Sequence, residues 1–322
     1  MKLVVLIPAF NEARNIEKVI QNVPRKIMGI DEVKVLVVND GSTDQTIDRA
    51  VSGGADRIVS HDTNTGVGAA FMTGIRNAIL MNADIVVAVD GDSQFDSNQI
   101  GRLIAPILNN QADVVVGSRF KKGNPKNIPR IKLIGNKIFT KIVSALVQQK
   151  FTDTQTGFRA YSKKALLNIS VVNDFTYTQE VLIDLKFKGM QITEVPVSVT
   201  YDDKRKSRVV KNIFSYSTKA LAIITRTLVF HRPLFSFFIL GGIFCGGGIL
   251  AKILTSLHLF SVTASLSTGL IILGGVAFMM GVFATVVFNR QTFAEKDLRH
   301  YIDNIEALVN KDVEKSVLDN KL

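Results

Sequence analysis

Between Pro233 and Asn289 the chain carries one charged side chain, Lys252. This constrains the fold more than any other feature, because helices of soluble proteins rarely run so far without charge. LFSFFILGGIFCGGGILAKIL (234–254) is 21 residues long. As a helix it spans about 31 Å, enough to cross the hydrocarbon core of a bilayer. ASLSTGLIILGGVAFMMGVFATVVF (264–288) is equally suitable, and TSLHLFSVT between them reads as a short turn. Glycines at 241–242, 246–248 and 274–275 suit close packing of two such helices. Arg226, His231 and Arg232 precede the first span, and Arg290 and Lys296 follow the second. The positive-inside rule then predicts a cell-membrane protein with two spans and both termini cytoplasmic. Met1-Lys2 leads into LVVLIP, too short for the apolar core of a cleavable leader, so none is expected. The lone Cys245 lies inside a span and supports no disulfide framework.

The net charge of +11 is unevenly distributed. Residues 1–120 hold 11 basic and 14 acidic side chains, whereas 121–232 hold 21 and 7. A basic segment suits nucleic acid, acidic headgroups or a phosphorylated substrate. Because this one runs directly into the spans, nucleic acid is discounted. IKLIGNKIFTKIVSALVQQ (131–149) and KNIFSYSTKALAIITRTLVF (211–230) mix apolar and basic residues, as helices lying on a membrane surface do.

The first 120 residues alternate strand and helix. KLVVLIP (2–8), KVLVVND (34–40), RIVS (57–60), DIVVAVD (84–90) and ADVVVGSR (112–119) are short apolar runs separated by helical patterns. Such runs predict a mainly parallel sheet covered on both faces. Ligands of these sheets bind at the carboxyl ends of strands. Asn11 and Glu12, Asp40, Asp90 and Asp92, and Arg119 all fall there.

The stretch VAVDGDSQFD (87–96) ends a buried strand in carboxylates. Two carboxylates would repel a phosphate, but with a divalent cation they become its site. Mg²⁺ or Mn²⁺ takes one or two carboxylates and fills its other positions with phosphate oxygens and water. Taken alone, a D-x-D equally describes a solvated turn. TGVGAAF (65–71) looks like a dinucleotide fingerprint but fails it, with Phe71 at the last glycine position and the motif after the third strand.

PAFNE (8–12), VVNDGSTD (37–44), NTGVGAAFMTG (64–74), DGDSQFD (90–96), GSR (117–119) and DTQTGFRAYS (153–162) occur together in this order. In this the chain resembles the family 2 glycosyltransferases of the GT-A fold over about residues 3–210, and among them the polyprenyl-phosphate sugar synthases. The resemblance implies an α/β GT-A domain over 1–210. A basic interface helix (211–232), two membrane helices (233–289) and a charged cytoplasmic tail (290–322) would follow it. The donor would be a nucleoside-diphosphate sugar of the GDP-mannose or UDP-glucose type, and the acceptor a polyprenyl phosphate.

By the same resemblance, Pro8, Phe10 and Glu12 cradle the nucleoside, and Asp40 with the Val38 backbone contacts base or ribose. Glu12 also suits a helix N-terminus, and Asp44 reads as a helix cap. Asp92 is the first expected metal ligand, with Asp90 and Gln94 beside it and Gly91 letting the backbone approach a ligand. Arg119 and Arg130 would face the lipid phosphate, since guanidinium forks suit a phosphate monoester. The family often has Ser four residues after the second arginine, where this chain has Ile134. Ser207 and Arg208 sit where the family has a loop reaching the diphosphate; a juxtamembrane cluster for acidic lipid is the other reading. Asp153 is the candidate base for a hydroxyl acceptor. For a phosphate acceptor no proton need be removed, and Asp153 would then orient the acceptor site or Arg159. Gln155, Gly157 and Phe158 would shape the sugar pocket, and His61 is expected to be structural. The alternative is a membrane glycosyltransferase acting on a glycolipid hydroxyl. A processive synthase is disfavoured, because its Q-x-x-R-W motif needs a Trp and the chain has none.

Overall fold

A computed structural model describes residues 1–125, 128–170, 177–200, 232–257 and 264–287, with scattered positions between 218 and 229. Ser207, Arg208, the 211–232 interface helix and the 290–322 tail of the sequence analysis lie outside the described residues or almost entirely so. The chain divides into two units, Met1–Thr227 and Leu228–Leu322.

The first unit is built on strands β1 (Lys2–Ala9), β2 (Glu32–Asp40), β3 (Arg57–His61), β4 (Ile85–Ala88), β5 (Val114–Ser118), β6 (Arg159–Ser162) and β7 (Ile192–Pro196). They form one sheet in the order β3-β2-β1-β4-β6-β5-β7. The β1–β2, β1–β4, β2–β3 and β5–β7 pairs are parallel, and β6 runs antiparallel between β4 and β5. This is the GT-A arrangement. Helices α1 (Ile16–Gln21), α2 (Thr46–Ser52), α3 (Val67–Leu80), α4 (Ile100–Leu108), α5 (Arg130–Leu146), α6 (Lys163–Leu166) and α7 (Thr178–Phe187) complete the unit.

Strand burial explains the uninterrupted apolar runs. Val4, Leu6, Leu36, Val86 and Val116 join one core cluster with Phe71 of α3 and Val143 of α5. Leu3, Val5, Val35, Val87 and Val115 join a second with Ile16 of α1 and Leu103 of α4. Alternate side chains of a strand point to opposite faces, so both faces must be apolar.

The reversed strand positions the site. Ala88 of β4 and Val116 of β5 both pair with Arg159, the first residue of β6. The segment entering β6 therefore arrives at the edge where β4 and β5 end. Thus 153–158 meets Asp90 and Arg119 at one sheet edge.

The second unit contains helices α8 (Pro233–Ser256) and α9 (Ala264–Val287), both long and apolar enough to cross a membrane. Over their most apolar stretches only 11% of α8 and 17% of α9 is buried in the protein, so most of their apolar surface is exposed. Ile243, Met279 and Phe283 are each at least 65% exposed. Apolar surface on this scale marks a membrane or partner contact. The helices meet where Gly241 faces Gly274: a Cβ on Gly241 would stand 2.9 Å from the Gly274 carbonyl oxygen. Such close approach of small residues is how membrane helices associate.

Candidate active site

The edge is assembled from the loops after β1 to β5 and the segment entering β6. After β1, Asn11 takes left-handed backbone (φ 55°). It is fixed by Ser42 Oγ, which accepts from its N–H at 2.9 Å, and by the Thr43 N–H, which donates to its Oδ1 at 2.8 Å. Glu12 is buried, its N–H donates to Thr46 Oγ1 at 2.8 Å, and its Oε2 accepts from Asn15 Nδ2 at 3.0 Å. Pro8 is half-buried, Phe10 sits at the surface, and Val38, paired with Pro8, is fully buried. Asp44 accepts from the Thr46 N–H at 3.0 Å at the start of α2.

Asp40 is turned toward the loop after β3. Its carboxylate accepts from Thr65 N (2.9 Å), Thr65 Oγ1 (2.8 Å), Gly66 N (2.9 Å) and His61 Nδ1 (2.8 Å). Burial would raise its pKa, but the hydrogen bonds from Thr65, His61 and Gly66 outweigh burial and hold it below the ordinary carboxylate value. His61 Nε2 lies 2.9 Å from Thr73 Oγ1 on α3. The side chain expected at the base or ribose thus also shapes the 61–66 loop, with His61 as a partner.

At the end of β4, Asp90 and Asp92 lie at the sheet edge. Ser93 between Asp92 and Gln94 is left-handed (φ 60°), a conformation that persists only where surrounding structure holds it. Gln94 N donates to Asp92 Oδ1 at 3.1 Å. A Cβ on Gly91 would stand 3.3 Å from the Pro8 carbonyl and 3.7 Å from Glu12 Cγ, so the DGD turn packs directly on the end of β1. Burial, then the charge of Asp92, pushes the Asp90 carboxyl up to about 7, against the pull of Arg119 and Arg159. Among the described residues no three His, Cys, Asp or Glu side chains group as a metal cage. Two carboxylates and an amide are nevertheless the hard-oxygen set that Mg²⁺ or Mn²⁺ accepts when phosphate and water fill the remaining positions. A cation would also relieve the repulsion that raises Asp90. The residues present fit the ion.

Arg119 and Asp153 are bound to each other. Arg119 Nε donates to Asp153 Oδ2 at 2.6 Å and Nη2 to Oδ1 at 2.9 Å, with the Arg119 N–H reaching Oδ2 at 3.2 Å. Asn136 Nδ2 (3.0 Å) and Gln155 N (3.2 Å) also donate to Oδ1. The Asp153 side chain has 0% exposure and Arg119 has 15%. Burial alone would raise Asp153, yet the charge and hydrogen bonds of Arg119, together with Asn136, bring it below the ordinary value. The turn carrying Asp153 is itself anchored: Glu194 of β7 accepts from Thr152 N, Thr152 Oγ1 and Asp153 N at 2.9–3.0 Å. Asp153 therefore orients Arg119. Arg159 is held instead by the carbonyls of Thr178 (2.6 Å) and Thr154 (2.9 Å). Arg130 opens α5, and its side chain lies outside the described residues. Phe158 is fully buried and packs on Phe95 with ring centroids 5.2 Å apart, so it belongs to the core.

The model of glycosyl transferase family 2 matches residues 4–170, more than half of the chain and all of these loops. The chain belongs to glycosyl transferase family 2. Among curated relatives of this family-2 enzyme is the UDP-N-acetylglucosamine–dolichyl-phosphate N-acetylglucosaminyltransferase of Methanococcus voltae. It is 33% identical over 63% of this chain and 87% of its own length. An undecaprenyl-phosphate mannosyltransferase of Micrococcus luteus is 28% identical over 65% and 88%. A solved glucosyl-3-phosphoglycerate synthase from Mycobacterium tuberculosis, with Mn²⁺, uridine diphosphate and phosphoglyceric acid, has a TM-score of 0.54 at 23% identity. It covers 71% of this chain and 78% of that one, and shows the shared fold.

Several groups at the glycosyltransferase's site carry no motif that would announce them. Asn136, Thr140 and Glu194 are 17, 13 and 41 residues from Asp153 in sequence. Gln179 and Glu180, both buried, open α7 beside Thr178, whose carbonyl holds Arg159. For those on α5 and α7, the one signal available is polar side chains on otherwise apolar helical faces.

Proposed function

We propose that this chain transfers a sugar from a nucleoside diphosphate to a polyprenyl phosphate at the cytoplasmic face of the membrane, inverting the anomeric carbon. The observation that carries the acceptor class is the state of Asp153. A general base must have a carboxylate able to take a proton. Asp153 is fully buried, accepts from five donors and titrates below the ordinary value. A phosphate acceptor is already anionic and needs no base. The names of the dolichyl- and undecaprenyl-phosphate relatives support the same acceptor class.

Pro8, Phe10, Glu12 and the 61–66 loop held by Asp40 would receive the nucleoside. Asp92, Asp90 and Gln94 would hold Mg²⁺ or Mn²⁺, which offsets negative charge on the departing diphosphate when bound. Arg119, kept in place by Asp153, and Arg130 at the start of α5 would hold the lipid phosphate so that one oxygen points at the anomeric carbon. Ser207 and Arg208 would assist at the diphosphate. The membrane helices would keep the enzyme in the plane where the lipid acceptor resides.

The test uses purified full-length enzyme with a panel of nucleotide sugars. A short polyprenyl phosphate and a glycolipid with a free hydroxyl serve as acceptors. Nucleoside diphosphate should be released with the phosphate acceptor and not with the hydroxyl acceptor. Release with the hydroxyl acceptor alone would overturn the reading.

A further inference from the structure

The inner face of α5 is unexpectedly polar. Its buried positions include Phe139 and Val143, as an amphipathic helix requires, but also Asn136 and Thr140. An amide or hydroxyl is costly to bury unless it is hydrogen-bonded. Both are bonded, and to one another's neighbours. Asn136 Nδ2 donates to Asp153 Oδ1 at 3.0 Å, Thr140 Oγ1 donates to Asn136 Oδ1 at 3.1 Å, and Thr154 N donates to Thr140 Oγ1 at 3.2 Å. The outer face exposes Lys132, Ile134, Lys137, Ile138 and Lys141.

A helix packed only by apolar side chains can rotate or slide at small cost. The Asn136–Thr140 ladder permits one register. A slip of one residue turns a helix by about 100° and moves it about 1.5 Å, which would bring Gly135 or Lys137 to Asp153. The same Asp153 carboxylate grips Arg119 through Nε and Nη2. Arg130 opens α5, six residues before Asn136. One carboxylate therefore ties the strand end that carries Arg119 to the helix that carries Arg130.

We propose that Asn136, with Thr140, is a positioning residue that locks the register of α5 against the Arg119–Asp153 pair and so fixes the spacing of the two arginines that receive the acceptor phosphate. The proposal rests on the function given above and adds residues to which no role has been attached. Asn136 touches no reacting atom and acts through Asp153.

The experiment compares Asn136→Leu, Thr140→Val and Thr140→Ser with the parent, all full-length. It reads KM and kcat for a short polyprenyl phosphate, donor affinity by calorimetry without acceptor, Tm, and hydrogen exchange over 117–120 and 152–156. Asn136→Leu and Thr140→Val should raise acceptor KM about tenfold, a fraction of the hundredfold that a full 1 Å misplacement can cost. Donor affinity should stay within twofold, and exchange at both segments should rise. Thr140→Ser keeps the hydroxyl and should behave as the parent. Unchanged acceptor KM and unchanged exchange would overturn the proposal. So would a parallel loss of donor affinity and Tm with Thr140→Ser no better than Thr140→Val, since that marks simple packing. If the parent itself does not use polyprenyl phosphate, the acceptor assignment fails, and the exchange data alone decide the register lock.

Discussion

Substituting Gly157 probes the carboxylate cluster without removing any ligand. A Cβ on Gly157 would stand 2.5 Å from Asp90 Oδ1 and 2.9 Å from Oδ2. Real Cβ contacts essentially never fall under 3.0 Å and ordinary contact begins at 3.4 Å, so Asp90 Oδ1 and the new methyl must part by about 0.5–0.9 Å. Metal–oxygen distances hold to about ±0.2 Å, so if Asp90 helps to hold the ion, as proposed, a retreat of that size would cost the ion a ligand. Displacements near 1 Å cost on the order of hundredfold in rate. Gly157→Ala should therefore weaken Mn²⁺ binding and turnover by about ten- to hundredfold. Tm should change little, because Gly157 lies in the segment entering β6 and outside the core strands. Electron paramagnetic resonance titration of Mn²⁺, with and without nucleoside diphosphate, reads the affinity directly. Excess Mn²⁺ should restore part of the turnover. Affinity and turnover both within twofold of the parent would refute the argument.

Asp92→Ala should abolish turnover and Mn²⁺ binding while the enzyme stays folded by circular dichroism; near-normal rates would remove the ion from this edge. Asp153→Asn should cost about 3–5 kcal/mol of stability, because it leaves Arg119 without its buried partner. Asp153 has a lowered native pKa. Its contribution is therefore fully present above the ordinary value of 3.8 and is lost as pH falls through the native pKa. The variant's stability should accordingly depend less on pH in that acid range, as denaturant melts at several pH values will report. Asp40→Asn should loosen the 61–66 loop, seen as weaker donor affinity and faster hydrogen exchange there. Full-length enzyme should partition with membranes through a high-salt and carbonate wash, whereas a chain ending at 227 should be extracted more easily.

Much of the sheet is legible because it is covered on both sides: β1, β2 and β4 appear as unbroken Val, Ile and Leu runs, and the polar residues that follow them mark the edge. β6 escapes such reading. It is four residues, RAYS, opens with an arginine, and is recognisable as a strand only through pairing with β4 and β5. The commitments of the site carboxylates are hidden for a related reason. Asp40 is satisfied by residues 21 to 26 positions away, and Asp153 by Arg119, 34 positions earlier. Sequence order carries no information on which acid faces ligand and which faces scaffold. The strand pattern places the DGD turn and GSR at one edge, and the resemblance to family 2 adds the segment before β6. Only the fold separates Asp92, expected at the ion, from Asp153, which holds an arginine.

The backward course of β6 has a consequence for inheritance. The half of the sheet that would meet the donor ends at β4, and the half that would meet the acceptor begins beyond it, with one short strand joining them. A descendant could replace residues 114–196 as a cassette and so change what receives the sugar. The nucleotide-binding half would be untouched, provided the graft keeps the four pairings of β6 to β4 from Ile85–Ser162 to Ala88–Arg159 and the glycine at 157 that lies against Asp90.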